Sequence, residues 1–301
     1  MGKNLILFFL MLLFISLIGC TQVEQQIDDD NIKILSTNYP LNYFAKRISG
    51  NDNINFFPSM DGDPAFWEPS PEDITNMQES DIILINGASY EKWLTSVSLP
   101  QRKIIDTSNV FESQLIVMEE SVDHAHGPSG DHSHSGTAFT KWLDFNQAAF
   151  QAKAIKDVMI KQNIGDEKDL NENFQNLVND LEELDTRIHE IADGNSEVAL
   201  LASHPVYQYF ARRYNLNIEA VMWEPDSFPE PNQWEELYDL VKIHPAKYMI
   251  WEGEPLQESI NKLEEMGIKS IVFDPLGNRP DEGDFMDGMN QNVDNLEEIF
   301  K

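Results

Sequence analysis

The sequence predicts an α/β protein with two lobes, each built on a mostly parallel sheet flanked by helices, joined by one long rigid helix. Short apolar runs alternate with amphipathic stretches from residue 32 to residue 106, and the same alternation returns from residue 198 to residue 273. Between these regions, apolar residues recur at intervals of four and three for about 25 residues, which is the period of one helix face. Alternating strands and helices favour parallel sheets, so two such regions predict two lobes.

The first residues predict export rather than folding. Lys3 precedes an apolar run over residues 5–18, which is shorter than the ~20 residues of a membrane span, and a small residue and Cys20 follow at once. This pattern is typical of a bacterial lipoprotein, with residues 1–19 as signal peptide and Cys20 as the acylated N-terminus. The polar residues 20–31 then form a tether. We expect the lipid to anchor the protein to the cell envelope, on its periplasmic or extracellular face.

The composition restricts the partners of the protein. Lys and Arg number 21 against 52 Asp and Glu, and the resulting net charge of −31 repels nucleic acid and attracts cations. Cys20 is the only cysteine, so the chain forms no internal disulfide and no thiolate metal site. No later apolar run reaches the length of a membrane span. We expect a protein that is tethered, otherwise soluble, and monomeric.

Residues 32–143 are predicted to form the N-terminal lobe. Residues 32–37 indicate the first strand, and Pro40 opens a helix with its apolar residues on one face. Ser70 and Pro71 supply the N-cap and the first helical position of a second helix. The other strands of this lobe are predicted at residues 54–57, 81–86 and 103–106.

Residues 144–195 are predicted to connect the lobes through helices. Their long helix, at about residues 168–193, spans roughly 37 Å, enough to run along both lobes. Residues 196–301 then form the C-terminal lobe. Its strands are predicted at residues 198–203, 218–223, 248–251 and 270–273.

Four residues that can bind a ligand follow the predicted strands of the C-terminal lobe. They are His204, Glu224, Glu252 and Asp274. In open parallel sheets, ligands bind outside the carboxyl ends of the strands. For His204, Glu252 and Asp274 a second interpretation is open, in which the side chain only caps a turn or fills the core.

Four of the seven histidines lie within residues 123–136, in two Asp-His-x-His units. They are His124, His126, His132 and His134. Imidazole binds zinc, copper and nickel, whereas the Gly, Pro and Ser residues between the units predict an irregular loop. We interpret this loop as a metal-capture segment; the alternative is a polar surface loop. The sequence holds no G-x-S-x-G, phosphate-binding glycine loop or H-E-x-x-H motif, so we do not expect an enzyme.

Several short motifs occur in a characteristic order along the chain. They are Tyr39-Pro40, DPAFWEPSP at residues 63–71, Asn86-Gly87-Ala88, Glu91-Lys92-Trp93-Leu94, Trp142-Leu143-Asp144, Ser203-His204-Pro205 and Asp274-Pro275. In this order they resemble the zinc/manganese solute-binding lipoproteins of ABC transporters, over nearly the whole mature chain. The resemblance implies two α/β lobes, a rigid connecting helix and a metal ion buried between the lobes.

The resemblance is incomplete at the metal site. The family has histidines at the positions that Ala65 and Thr140 occupy here, which leaves His204 and Asp274 as the matched ligands. A tight zinc site needs three or four ligands. We therefore predict that residues 123–136, the histidine-rich segment, close over the cleft and supply the missing imidazoles, chiefly from His132 and His134. The residues expected around the ion are Glu252, Trp67, Glu68 and Thr140.

The resemblance implies a lipid-anchored, extracytoplasmic receptor that captures a divalent transition metal and delivers it to an ABC permease. Zinc is favoured over manganese because imidazoles would outnumber carboxylates around the ion. One alternative is a degenerate member that buffers metal, or interacts at the surface, without a buried ion. Another is a receptor for a metal chelate, with a wider cleft lined by Trp67, Trp142, Trp223 and Trp251.

Overall fold

The computed structural model of the protein describes residues 32–51, 54–56, 64–118, 123–126, 130–133 and 136–301. Residues Ile32–Lys301 form one unit. The predicted signal peptide, the lipidation site Cys20, the tether and His134 lie outside the described residues. Of the helices that are described, none combines the length and the apolar character that a membrane span requires.

Four parallel strands form the sheet of the N-terminal lobe. They are β1 (Ile34–Ser36), β2 (Asn55–Phe56), β3 (Ile82–Ile85) and β4 (Ile104–Asp106), in the order β2–β1–β3–β4. Strands β1 and β3 are buried along their whole length, as their runs of apolar residues require in a sheet that is covered on both faces.

Two helices of this lobe begin at the residues that the sequence indicates. Helix α1 (Tyr39–Ser49) is capped by Asn38 and ends at Gly50, whose φ of 67° is the left-handed conformation that glycine adopts easily. Helix α2 (Pro71–Glu79) begins with a capping box between Ser70 and Asp73.

The histidine-rich segment contains paired strands instead of the irregular loop that its Gly and Pro content predicted. Strand β5 (Val117–Met118) pairs with β8 (Gly136–Thr137), and between them β6 (Asp123–His126) pairs with β7 (Gly130–Ser133). The register sets His124 opposite His132. Residues of the two Asp-His-x-His units alternate with the period of a strand, and this alternation allows the pairing.

Two consecutive helices connect the lobes. Helix α3 (Phe145–Lys161) is followed by α4 (Glu167–Ala192), which has 26 residues. Helix α4 packs against α1, against α3 and against the C-terminal helix Phe285–Phe300, so it contacts helices of both lobes. The residues that it buries recur at helical spacing and are Leu170, Leu177, Leu181, Leu184, Ile188 and Ala192.

The C-terminal lobe repeats the parallel arrangement. Its strands are β9 (Ala199–Ala202), β10 (Asn217–Ala220), β11 (Tyr248–Trp251) and β12 (Lys269–Val272), in the order β10–β9–β11–β12. Its helices are α5 (Gln208–Tyr214), α6 (Pro231–Ile243), α7 (Gln257–Glu265) and α8 (Phe285–Phe300). The predicted fold class, with two parallel α/β lobes and a long helix between them, is confirmed.

Candidate metal centre

Each strand of the C-terminal sheet is followed by one residue that can bind a metal. Glu224 follows β10, His204 follows β9, Glu252 follows β11 and Asp274 follows β12. The carboxyl ends of parallel strands share one edge of the sheet, and the sheet order is β10–β9–β11–β12. His204 is therefore flanked by Glu224 and Glu252, whereas Asp274 lies one strand further out.

The backbone around His204 is held by both neighbouring strands. Ser203 donates its N–H to the carbonyl of Ile250, at 2.8 Å, and accepts the N–H of Trp223, at 2.7 Å. The side chain of His204 is buried, with a residue exposure of 4%. The backbone is thus held at the sheet edge, and the buried imidazole of His204 has a glutamate on either side.

The three donor groups have spacings that suit a shared metal ion. The Nδ1 atom of His204 lies 3.5 Å from Oε1 of Glu224 and 3.7 Å from Oε1 of Glu252, and all three donor atoms lie within 4.8 Å of one another. Ligands at ~2.0–2.2 Å from a tetrahedral ion are roughly 3.3–3.6 Å apart. The distances to Nδ1 are long for hydrogen bonds, whose mode is ~2.9 Å, but they match this ligand spacing closely.

Asp274 stabilises its own turn. Its Oδ1 accepts the N–H of Leu276 at 2.7 Å. Its backbone N–H donates to Oδ1 of Asn292 at 2.9 Å, and its carbonyl accepts Nδ2 of the same amide at 2.6 Å. Burial raises the pKa of Asp274 to about 6, against the lowering effect of the Leu276 N–H. Asp274 therefore caps its turn through one carboxylate oxygen. Burial of its negative charge is unfavourable in free energy, and a bound cation would offset this cost.

Tyr207 lies close enough to Glu252 and Asp274 to be affected by both charges. Its hydroxyl donates to the carbonyl of Phe273 at 2.7 Å. Burial raises the pKa of this phenol, and the charges of Glu252 and Asp274 raise it further. Glu252 and Asp274 are therefore near the same side chain, although Asp274 is not one of the three clustered donors.

The N-terminal lobe contributes packing to this region. Ala65 and Thr140 are buried, and the Thr140 hydroxyl donates to the carbonyl of Val206, two residues past His204. Trp67 packs edge-to-face on Trp93, with ring centroids 5.6 Å apart, beside the N-terminal sheet. Glu68 is exposed. In the part of the chain that the structure describes, the clustered donors all belong to the C-terminal lobe.

A buried lysine follows Thr140 and holds its segment to the N-terminal sheet. Lys141 is fully buried and donates from Nζ to the carbonyl of Asn86 at 2.6 Å. Burial lowers the pKa of Lys141 to about 8, while the charges of Glu91 and Asp106 act in the opposite direction. Burial raises the pKa of Glu91, whose carboxylate accepts the Thr37 hydroxyl and the N–H groups of Asn86 and Gly87.

The loop after Asp274 is hydrogen-bonded to the N-terminal lobe. The indole N–H of Trp142 donates to the carbonyl of Pro275 at 2.6 Å, and the N–H of Tyr39 donates to the carbonyl of Gly277 at 2.9 Å. Gly277 also lies against the Trp142 ring. The two lobes are therefore in direct contact beside the candidate site.

The base of the histidine-rich segment is attached to the helix that follows His204. The Tyr209 hydroxyl accepts the N–H of Ile116 at 3.1 Å and donates to the carbonyl of Ala138 at 3.0 Å. Arg212 donates to the carbonyl of Gln114 at 2.6 Å. The residues just before β5 and just after β8 thus contact α5, which begins four residues after His204.

The structure unites some of the predicted site residues and separates others. His204 and Glu252 come together, and Glu224, which had no assigned role beyond its place after a strand, joins them. The side-chain positions of His124, His126 and His132 lie outside what the structure describes. Of the four tryptophans proposed to line a wider cleft, Trp142, Trp223 and Trp251 are buried in the lobe cores and Trp67 packs on Trp93.

Comparison with known proteins agrees with these observations. Residues 34–299 match the family described as "Zinc-uptake complex component A periplasmic". The zinc-binding protein AdcA of Streptococcus pyogenes is 25% identical over 273 residues, which is 85% of this chain and 52% of AdcA, so the chain spans about half the length of that relative. The manganese-binding lipoprotein MntA of Halalkalibacterium halodurans is 23% identical over 249 residues, 80% of this chain and 78% of MntA.

A solved structure shares the fold. The metal-dependent lipoprotein YcdH from Bacillus subtilis superposes with a TM-score of 0.75 at 23% identity, over 90% of this chain and 100% of YcdH. The likeness confirms the two-lobe architecture, and the family match confirms the resemblance that the motifs indicated. Because that match extends over residues 34–299, the chain belongs to the family of periplasmic zinc-uptake complex component A proteins.

Proposed function

We propose that the protein is an extracytoplasmic receptor that captures a divalent transition metal at His204 and delivers it to an ABC permease. The observation that carries this proposal is the buried imidazole of His204 at the carboxyl edge of the C-terminal sheet, facing carboxylates at metal-ligand spacing. A buried histidine beside carboxylates is a favourable donor set for such an ion. The family is one of transport components, so no enzymatic activity is expected.

Zinc is the proposed cargo and manganese is the alternative. The relatives AdcA and MntA are a zinc-binding and a manganese-binding protein, respectively. The histidine-rich segment, with His124, His126, His132 and His134, is proposed to capture additional ions near the cleft. Its base contacts Tyr209 of α5, the helix that begins four residues after His204. The lipid on Cys20 is proposed to hold the receptor at the membrane that contains the permease.

The function is tested by the metal stoichiometry and affinity of the purified protein. His204→Ala should remove one tightly bound zinc ion, whereas His189→Ala, a change at a half-exposed histidine on α4, should leave that ion in place. Zinc accumulation by cells that carry the His204→Ala protein should fall in parallel.

The buffering alternative predicts a different pattern. A protein that only buffers metal would lose several ions when residues 123–135 are deleted and none when His204 is replaced. A cleft that binds an intact metal chelate but no free ion would also overturn the proposal.

A further inference from the structure

We propose that Glu224 and Glu252 are direct ligands of the captured ion and take the place of the two N-terminal-lobe histidines that this chain lacks. This inference rests on the proposed function, since it specifies how the same site holds its ion. It makes the site a set of one imidazole and two carboxylates, drawn from three adjacent strands of a single lobe.

The order of the strands is the first support. Strands β10, β9 and β11 are adjacent in the sheet, and each contributes one donor at its carboxyl end. Neighbouring strands lie ~4.8 Å apart, so donors from three adjacent strands can converge on one ion. Asp274 follows β12, which is two strands away from β9, and its Oδ1 already accepts the Leu276 N–H. The two glutamates are therefore better placed beside His204 than Asp274 is.

The distances are the second support. Both glutamates direct an Oε1 atom toward the same atom, Nδ1 of His204, at 3.5 and 3.7 Å. Two carboxylates that converge on one nitrogen repel each other, and a divalent cation placed between them would offset this repulsion. The side chains of Glu224 and Glu252 are 32% and 21% exposed, whereas that of His204 is 5% exposed. An ion can therefore reach the carboxylates from solvent.

The positions of the missing ligands are the third support. The side chain of Ala65 has no atom that could bind a metal, and the Thr140 hydroxyl donates a hydrogen bond to the Val206 carbonyl. The prediction that the histidine-rich segment must complete the site assumed that only His204 and Asp274 were available in the cleft. With Glu224 and Glu252 beside His204, that requirement disappears, and the segment can act in capture alone.

The ligand set has a consequence for ion selection. Carboxylates suit manganese and imidazoles suit zinc, although zinc binds more tightly than manganese to nearly any given set of ligands. A site with two carboxylates and one imidazole should therefore bind Zn²⁺ and Mn²⁺ with affinities that are closer together than at an imidazole-dominated site. Replacing one glutamate by histidine should separate the two affinities.

The test measures Zn²⁺ and Mn²⁺ binding by calorimetry, in competition with a chelator of known affinity. Loss of a residue that only supports a metal ligand costs 10–100-fold in affinity, so Glu224→Gln and Glu252→Gln should each weaken Zn²⁺ binding by at least about 100-fold. Glu254→Gln is the matched control, because Glu254 is exposed and lies two residues from Glu252. It should change neither affinity.

Two further variants separate the possible outcomes. Glu252→His should keep Zn²⁺ binding and lose Mn²⁺ binding, a result that a merely structural role of Glu252 does not produce. Deletion of residues 123–135 should leave one tightly bound ion. The metal-free melting temperatures of the two glutamine variants should equal or exceed that of the parent, because a like-charge contact is removed.

The inference fails if both glutamine variants keep parental affinity for both ions while His204→Ala loses binding; the proposed function would then survive with other ligands. It also fails if deletion of residues 123–135 removes the tightly bound ion. If His204→Ala keeps full affinity as well, the proposed function itself is wrong.

Discussion

The buried carboxylate of Glu91, whose charge acts on the buried ammonium of Lys141, should be the most sensitive point of the N-terminal lobe. Glu91→Gln keeps the shape of the side chain but removes its charge, and it leaves the Lys141 ammonium fully buried. It also weakens the hydrogen bonds that the carboxylate accepts from the backbone N–H groups of Asn86 and Gly87, at 2.7 and 3.0 Å. These bonds hold a turn in which Ala88 has a left-handed φ of 54°.

The expected loss in the free energy of unfolding depends on the groups that remain around the Lys141 ammonium. Removing one partner of a buried ion pair costs about 3–5 kcal/mol, because the other charge stays buried without compensation. Glu91 acts on Lys141 through its charge rather than through a direct ion pair, so this range is an upper bound for Glu91→Gln. Here the Asn86 carbonyl accepts Nζ at 2.6 Å and the charge of Asp106 lies near enough to raise the pKa of Lys141. We therefore expect the lower end of that range, about 3 kcal/mol, for Glu91→Gln.

The assay is urea unfolding of the metal-free protein at pH 7, followed by tryptophan fluorescence. The double variant Glu91→Gln/Lys141→Met has no buried charge at either position, so it should be more stable than Glu91→Gln alone. The reasoning would be refuted if the two single costs simply added, or if Glu91→Gln cost less than about 1 kcal/mol.

Three other outcomes are expected. Trp142→Phe removes the indole hydrogen bond to the loop after β12 and should lower the free energy of unfolding by about 1–2 kcal/mol, without lowering the number of ions bound. Burial raises the pKa of Asp185, but hydrogen bonds from Arg213 and Tyr214 more than reverse this, so its pKa lies below 3.8. The stability that this carboxylate contributes is present above pH 3.8 and is lost as the pH falls through its folded-state pKa. Asp185→Asn should therefore flatten the acid side of the stability profile measured by urea unfolding, and an unchanged profile would contradict this assignment. Cys20→Ala should release the protein from the membrane fraction in a detergent-partition assay, and persistent membrane binding would count against lipidation.

Particular residues show how far the sequence alone could define the site. His204 and Asp274 were identified because each follows a short apolar run and lies in a recognisable motif. Glu252 was identified by its position after a strand, although as a surrounding residue. Glu224 follows the end of β10 by four residues, so no spacing rule connects it with His204. The only available signal was that its strand ends at the same edge of the sheet.

In the histidine-rich segment, the sequence indicated the chemistry of the residues but not their structure. Its residue types predicted a metal contact, which stays a prediction, but its Gly and Pro content did not predict the pairing of Asp123–His126 with Gly130–Ser133. The register of an antiparallel pair depends on contacts between residues far apart in the chain, which composition does not encode.

The sequence by itself determined the two α/β lobes, the long helix and the family, because strand and helix periods and capping residues are local properties that survive in any window of the chain. Only the tertiary structure decided which donors meet. The order β10–β9–β11–β12 places β10 and β11 on either side of β9 although both follow it in sequence, and so brings Glu224 and Glu252 to His204 from 20 and 48 residues away. Such an order arises from the packing of helices on both faces of the sheet and the handedness of the crossovers, which act on whole elements rather than on single residues.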